Sequence, residues 1–337
     1  MMEVRLVFLD LRTTPPRPMD APASSASIYC LGNFDGVHLA HQAILREGVR
    51  ASRERLAGSL CGVFCFFRPS ADFRPAPTVP APSALQPEGT HLTTLREKLS
   101  LCAGLGVDFA CLCDFRQIRS LSPAAFCDLL VHHCGCRGVV CGFNYRFGAG
   151  GNGTPEDLRA VFDAPGFSGV TVWPEMTVDG LTVSSSHIRQ ALIAGDMDTV
   201  TRLLGHPYAL ESRVVHGKHL GHTLGFPTAN QFFPAERLIP AHGVYAALAH
   251  TEQGVFPAVS NIGVRPTVDG GTLPRVNCET YLIGFDGDLY GQTVRVEFLS
   301  HLRGEERFDS LEALRAAISA DANTACEVVH RMRRNGS

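Results

Sequence analysis

The sequence predicts an α/β domain on a doubly wound parallel sheet, followed by an antiparallel sheet or small barrel with a closing helix. Three observations predict it. Strand and helix signals alternate in βαβα order through the N-terminal half. Near Gly205 to Tyr208 that rhythm gives way to short alternating strands. And 337 residues, 45% hydrophobic and 19% charged, suffice to bury two cores. The predicted domains are 1–203 and 204–337.

Taken in order, SIYCLGNF reads as a strand, LAHQAILREGVRASRERL as a helix and GVFCFF as a buried strand. A loop follows with Pro69, Pro75, Pro77, Pro80, Pro82 and Pro87. Thr94 and Glu97 form a capping-box pattern for a helix ending at Gly104 or Gly106, and VDFACLC is the next strand. Ser122 and Pro123 suit the N-cap and N1 of a helix ending near His133. RGVVCGF is a strand, PEDLRAVF a helix and GVTVWPE extended. Beyond residue 204, ESRVVH, GVYAALAH, VFPAVSN, VNCETYLI and TVRVEFL are strands, the last two joined by turn residues Phe285 to Asp288. SLEALRAAI closes the chain as a helix with Leu311, Leu314 and Ile318 on one face.

Composition excludes several function classes. With 30 Lys+Arg against 33 Asp+Glu, a net charge of −3, the chain has no bulk attraction for nucleic acid or anionic lipid. Its longest uncharged apolar stretch, Leu56 to Phe67, falls short of the ~20 residues that span a bilayer. The first residues interleave Glu3, Arg5 and Asp10 with apolar ones and form no signal-peptide core. Twelve cysteines lie scattered, mostly in apolar runs, as reduced buried thiols do. The expectation is a cytoplasmic protein acting on small molecules, with no membrane or nucleic-acid partner. His132, His133, Cys134 and Cys136 are the sharpest zinc candidate, but no second ligand pair complements them and adjacent side chains diverge.

His38 and His41 stand where the first strand of the alternation turns into a helix. At i and i+3 they project together, beside unpaired N–H groups and the positive dipole end. The alternative is a helix with two surface histidines; position at a strand's carboxyl end favours a phosphate site. Gly148, Gly150 and Gly153 satisfy GxGxxG, yet do not open the first βαβ unit, which argues against a nicotinamide site. Ser184, Ser185 and Arg189 offer hydroxyls and a guanidinium at a helix start, suited to a nucleotide's outer phosphates or simply to capping. In LGFPTAN, Pro227 forces extended backbone, so Thr228 and Asn230 point to one side with a hydroxyl and a carbonyl oxygen, ligands that suit Mg²⁺. In VNCETYLI, Val276, Cys278 and Leu282 share one face and Glu279 projects from the other.

GNFDGVHLAHQAIL, CGFNYRFG and VSSSHIRQAL, followed by LLGHPY and LGFPTAN, resemble the bacterial bifunctional riboflavin kinase/FAD synthetase family over about Ser27 to Ala325. The resemblance implies an FMN adenylyltransferase over 1–203 and a β-barrel riboflavin kinase over 204–337, with riboflavin, FMN and ATP as substrates, ATP being the co-substrate, and Mg²⁺ as cofactor. It implies that His38 and His41 stabilise the attacked α-phosphate. Asn33, Phe34, Asp35, Gly36, Ser184, Ser185 and Arg189 would bind the nucleotide, and Asn144, Tyr145, Arg146 and Phe147 would lie near the flavin. In the kinase half it implies a phosphate-covering flap with Gly217, Lys218 and Gly221, metal ligands Thr228 and Asn230, and Glu279 as base for the ribityl 5′-hydroxyl. The chain is expected to work as a monomer or weak homo-oligomer.

Four departures from the family's pattern stand in this sequence. Ala40 replaces the glycine of HxGH. Phe67, Arg68, Pro69, Ser70 and Ala71 stand in place of FxPHP. Asn144 replaces an aspartate, and the flap's Gly-Arg pair is Gly221 and His222. Two alternatives therefore remain open: a riboflavin kinase whose N-terminal module binds ligands without catalysis, and a non-catalytic flavin-binding regulator.

Overall fold

A computed structural model describes residues 4–11, 17–19, 26–56, 58–67, 91–217, 225–234, 236–265 and 275–335. These divide into two units, 4–67 with 93–185 and 91–92 with 186–335. The first carries β1 (Arg5–Asp10), β2 (Arg17–Met19), β3 (Ser27–Leu31), α1 (Leu39–Arg55), β4 (Leu60–Phe67), α2 (Leu95–Gly104), β5 (Phe109–Asp114), α3 (Phe115–Ile118), α4 (Pro123–Asp128), β6 (Cys136–Gly142), α5 (Pro155–Phe162), β7 (Val170–Trp173) and the hairpin β8 (Thr177–Val178) and β9 (Leu181–Thr182). A π turn, Leu129–His133, prolongs α4. Six strands pair in parallel in the order β1-β5-β4-β3-β6-β7, and β2 adds antiparallel to β1 at the edge.

Successive side chains of β3 enter opposite cores. Ile28 and Cys30 join Ile44, Leu45 and Cys102 from α1 and α2, while Tyr29 and Leu31 join Phe126, Leu158 and Phe162 from α4 and α5. This is what a period of two gives in a sheet covered on both faces. Gly48 lets α1 close on β3: a Cβ there would sit 2.2 Å from Cys30 Sγ, and overpacking of that kind costs about 1–3 kcal/mol. None of the twelve cysteines forms a disulfide, and ten are buried; burial raises the thiol pKa of Cys65, of Cys127 to about 11 and of Cys141 to about 12.

Helix α6 (Ser185–Ala194) leads to α7 (Met197–Leu204) and the second unit's strands: β10 (Tyr208–Val215), β11 (Thr228–Gln231), β12 (Gly243–Thr251), β13 (Gly254–Arg265), β14 (Arg275–Leu282) and β15 (Thr293–Arg303). All neighbours pair antiparallel, and β10 with β15 closes a barrel in the order β10-β11-β14-β13-β12-β15. Closure removes sheet edges. The closing helix α8, Leu311–Asn335, packs against β12, β13 and β15 and runs well past the predicted SLEALRAAI. Among the described residues no helix is long and apolar enough to cross a membrane. The proposed zinc ligands do not converge: the Cys136 thiol lies against the Gly138 carbonyl at 3.3 Å in the core, while His132 pairs with Asp128 at 3.3 Å on the surface.

Candidate functional site

Each unit carries a constellation. In the first, strand order reverses at β3, with β4 and β5 to one side and β6 and β7 to the other. Open α/β sheets bind ligands outside the strands' carboxyl ends at such a point. The loop leaving β3 there has positive φ at Phe34 (51°), Gly36 (84°) and Val37 (43°). For β-branched Val37 this is strained, and such backbone persists only where its surroundings fix it. They do. Thr93 donates from N and Oγ1 to Asp35 Oδ1 (3.2 and 3.4 Å), and the Gly36 N–H donates to Thr93 Oγ1 (3.2 Å). Ser185 Oγ donates to the Asp35 carbonyl (2.9 Å), Lys98 Nζ to the Asn33 carbonyl (2.8 Å) and Gln42 Nε2 to the Val37 carbonyl (3.0 Å). Phe34, Asp35 and Gly36 are buried, and Asn33 is exposed.

His38 caps α1. Its Nδ1 accepts the His41 N–H at 3.3 Å, and the two rings stack with centroids 3.6 Å apart at 15°. As an acceptor at Nδ1, neutral His38 carries its proton on Nε2. Burial, then the charges of His38 and Lys98, hold the His41 pKa well below its ordinary value, so that ring is neutral at pH 7. Its Nδ1 is buried without a hydrogen-bond partner. Ser184 directly precedes α6, Ser185 opens it, and Arg189 follows one turn later on the same helix, within the second unit.

After β6, Asn144 and Arg146 are exposed. Tyr145 stacks on Phe147 at 5.8 Å, and Phe147, 6% exposed, packs on Phe126 at 5.1 Å. The Phe147 ring is thus part of the core, anchoring the segment that presents its neighbours. The glycine run forms one short 3₁₀ turn, Ala149–Gly151, after β6.

In the second unit, β14 lies between β11 and β13, and register sets Glu279 opposite both Asn230 and Asn261. Cross-strand partners share a face, so the three side chains form one row, while Cys278, Thr280 and Leu282 fill the barrel interior. Asn277 Nδ2 donates to Glu279 Oε1 at 3.1 Å. Asn230 is 5% exposed; its Nδ2 donates to the Thr228 carbonyl at 3.3 Å, and its Oδ1 is buried without a partner. Gly217 passes so close that a Cβ there would lie 2.4 Å from Asn230 Nδ2, so any side chain at 217 would displace the Asn230 amide. Lys218, Gly221 and His222, with Arg68 to Ala71, lie outside the described residues.

A cavity of about 320 Å³ has Thr228, Glu279 and Asn261 in its wall beside the aromatic rings of Phe226, Tyr281 and Phe308. Phe226 and Tyr281 meet edge to face at 5.2 Å. Helix α8 closes the far side with Leu314 and Ile318 and is tied to β15 by Arg303, whose Nη2 lies 2.8 Å from Asp321 Oδ2. Arg303, Glu305, Glu306 and Asp321 also line it, and a cavity that sets aromatic rings beside polar groups suits a ligand with a flat apolar part and polar substituents. Thr93, Lys98, Asn261 and the aromatic wall were not singled out from the sequence. NIGVRPT contains Asn261, and the Thr94 capping box sits next to Thr93, but only tertiary placement gives either its role.

Residues 20–187 match the FAD synthetase family and residues 204–329 the riboflavin kinase family. The chain is 38% identical over 306 residues to the bifunctional riboflavin kinase/FMN adenylyltransferase of Pseudomonas fluorescens, covering 90% of this chain and 93% of the relative. It is 38% identical over 304 residues to that of Escherichia coli strain K12, covering 89% and 92%, and 30% identical over 325 residues to that of Bacillus subtilis strain 168, covering 96% and 99%. Among solved structures, one described as a macrolide-efflux protein from Streptococcus pneumoniae matches with a TM-score of 0.77 at 30% identity, over 91% of this chain and 95% of that one.

Proposed function

Because this chain belongs to the bifunctional riboflavin kinase/FMN adenylyltransferase family and carries a domain for each activity, we propose that its two constellations are the two active sites. In the barrel, the cavity takes the isoalloxazine ring and directs the ribityl chain at Glu279. Glu279 accepts the proton of the 5′-hydroxyl as that oxygen attacks the γ-phosphorus of ATP and the bond to ADP breaks. Thr228 and Asn230 would hold Mg²⁺, and the unpartnered Oδ1 of Asn230 is the feature that fits a hard cation. Bound there, the cation would neutralise phosphate charge. Gly217 leaves room for the phosphates beside Asn230. The observation that carries the kinase assignment is Glu279 in the cavity wall with Thr228 and Asn261, in register with Asn230 on the neighbouring strand.

In the first unit, a phosphate oxygen of FMN attacks the α-phosphorus of ATP and pyrophosphate departs. His38, donating from Nε2, and His41 stabilise the charge that develops at that phosphate. Asn33 to Gly36, Ser184 and Ser185 hold the remainder of the nucleotide, and the Asn144 to Phe147 segment flanks the flavin. The second reading, a kinase whose N-terminal module binds without catalysis, draws on Ala40 and Asn144. Twelve cysteines with no disulfide among them suit a reducing compartment, so the proposed setting is the cytoplasm, with a monomer or weak homo-oligomer acting on small molecules alone.

Incubation with riboflavin, ATP and Mg²⁺, followed by separation of riboflavin, FMN and FAD, distinguishes the two readings. Asn230→Ala should raise the Mg²⁺ concentration needed for half-maximal FMN formation and weaken ATP binding. Unchanged Mg²⁺ dependence would remove Asn230 from the metal site.

A further inference from the structure

Lys98 stands apart from the other cations of the first unit. It is 6% exposed. Its ammonium makes one hydrogen bond, to the Asn33 carbonyl at 2.8 Å, and among the described residues no carboxylate pairs with it. Buried ammonium groups are ordinarily paired, because removing the charge from water is costly. Here the nearest anionic side chain of the loop, Asp35, is occupied by Thr93. Two of the three N–H groups of Lys98 are left over, under a loop whose backbone is strained at Val37.

The location is equally specific. Lys98 lies in the first turn and a half of α2, and Thr93 lies just before that helix. Together they grip the loop at Asn33, Asp35 and Gly36. The charge of Lys98 is felt at His41, where it adds to burial and to His38 in keeping the imidazole neutral. With the His41 imidazole held neutral, fixed positive charge at a phosphate site must come from its neighbours, and among the described residues Lys98 is the buried cation that hydrogen-bonds this loop.

We propose that Lys98 is a positioning residue of the adenylyl-transfer site, holding the β3–α1 loop through the Asn33 carbonyl and supplying the unpaired buried charge that favours anionic phosphate above it. This rests on the assignment of His38 and His41 to that site. Lys98 acts through the loop and its field, so its loss should fall on the chemical step rather than on substrate capture.

The test uses the full-length chain with Lys98→Met, Lys98→Gln and Lys98→Arg. Lys98→Met should lower kcat for FMN adenylylation about 10-fold or more, with KM for ATP and FMN within about threefold and riboflavin phosphorylation unchanged. The His41 imidazole, followed by NMR, should titrate at higher pH in Lys98→Met than in wild type, because one of the two positive neighbours opposing its protonation is gone. Lys98→Arg, which keeps the charge, should hold the His41 titration near wild type and recover most of kcat. Lys98→Gln, which can still donate to the Asn33 carbonyl, should behave like Lys98→Met.

Adenylylation within twofold of wild type in a folded Lys98→Met or Lys98→Gln chain would overturn the proposal. So would equal loss in the Arg variant, or failure of both uncharged variants to fold, since either makes Lys98 scaffold only. If His38→Ala and His41→Ala leave adenylylation intact, it is the site assignment that fails instead.

Discussion

Glu279 shows how much one residue's role depends on its neighbours across the sheet. Alternation along β14 puts it on the outer face, where an exposed glutamate would ordinarily be idle. The register with β11 and β13 sets it between Asn230 and Asn261, at the wall of an aromatic cavity, with Asn277 fixing one carboxylate oxygen. Glu279→Gln keeps the shape and the polar contact but cannot take a proton. FMN formation should fall by about 10² or more, within the ~10² to 10⁴ that a missing general base costs, while adenylylation of supplied FMN stays at the wild-type rate. Measured by product separation, kinase turnover within a factor of about two of wild type would take Glu279 out of the mechanism. A fall in both activities would point instead to damage beyond the barrel.

At the level of elements, those with a clear internal period were legible and those created by partners were not. β3, β4, β5 and β6 announce themselves as apolar runs, and α1 and α2 by periodicity and the Thr94 capping box. β1 owes its place to parallel pairing with β5, about a hundred residues away, a partnership no local pattern specifies. β11 is Thr228–Gln231, four residues without apolar alternation, made a strand by β10 and β14. The histidine pair was legible because helical spacing fixes it, whereas Thr93 and Lys98 gain their roles only when α2 docks beside the loop. Helix α7 was missed, though Met197, Val200, Leu203 and Leu204 are buried and it packs on β10 and β15. It also lies between the two family matches, which end at 187 and resume at 204. This yields a test of the proposed boundary at 203/204. Fragments 186–337 and 204–337 should both fold and phosphorylate riboflavin, the shorter with a lower Tm, because each buried apolar side chain of α7 contributes up to about 1.5–3 kcal/mol. Equal melting temperatures would show that α7 adds nothing to the barrel. An insoluble short fragment beside a folded long one would move the boundary upstream of α7.

On the scale of the whole molecule, two catalytic units in one chain need not be matched in rate, and the departures from the family's pattern are unevenly shared. The kinase unit keeps Thr228, Asn230 and Glu279, with the last two in register on adjacent strands. The adenylyl-transfer unit has Ala40 where a glycine would let backbone approach a phosphate. It also has Asn144 where an aspartate would bring charge, and Arg68 to Ala71 in place of the family's Pro-His-Pro element. Losing one ionised hydrogen-bond partner typically weakens a contact by about 1 kcal/mol or more, and ~1.4 kcal/mol is tenfold in rate; two or three such changes therefore reach one to three orders of magnitude. Abolition does not follow, because the stacked His38 and His41 pair is present and the strained loop beneath it is held at Asn33, Asp35, Gly36 and Val37. Riboflavin should accordingly be converted to FMN faster than FMN is converted to FAD, so that FMN accumulates before FAD in a single incubation. The measurement is kcat/KM for riboflavin phosphorylation against kcat/KM for FMN adenylylation in one preparation at saturating ATP and Mg²⁺. Adenylylation as fast or faster would show that Ala40 and Asn144 cost the reaction nothing, and no detectable FAD would reduce the first unit to a ligand-binding module.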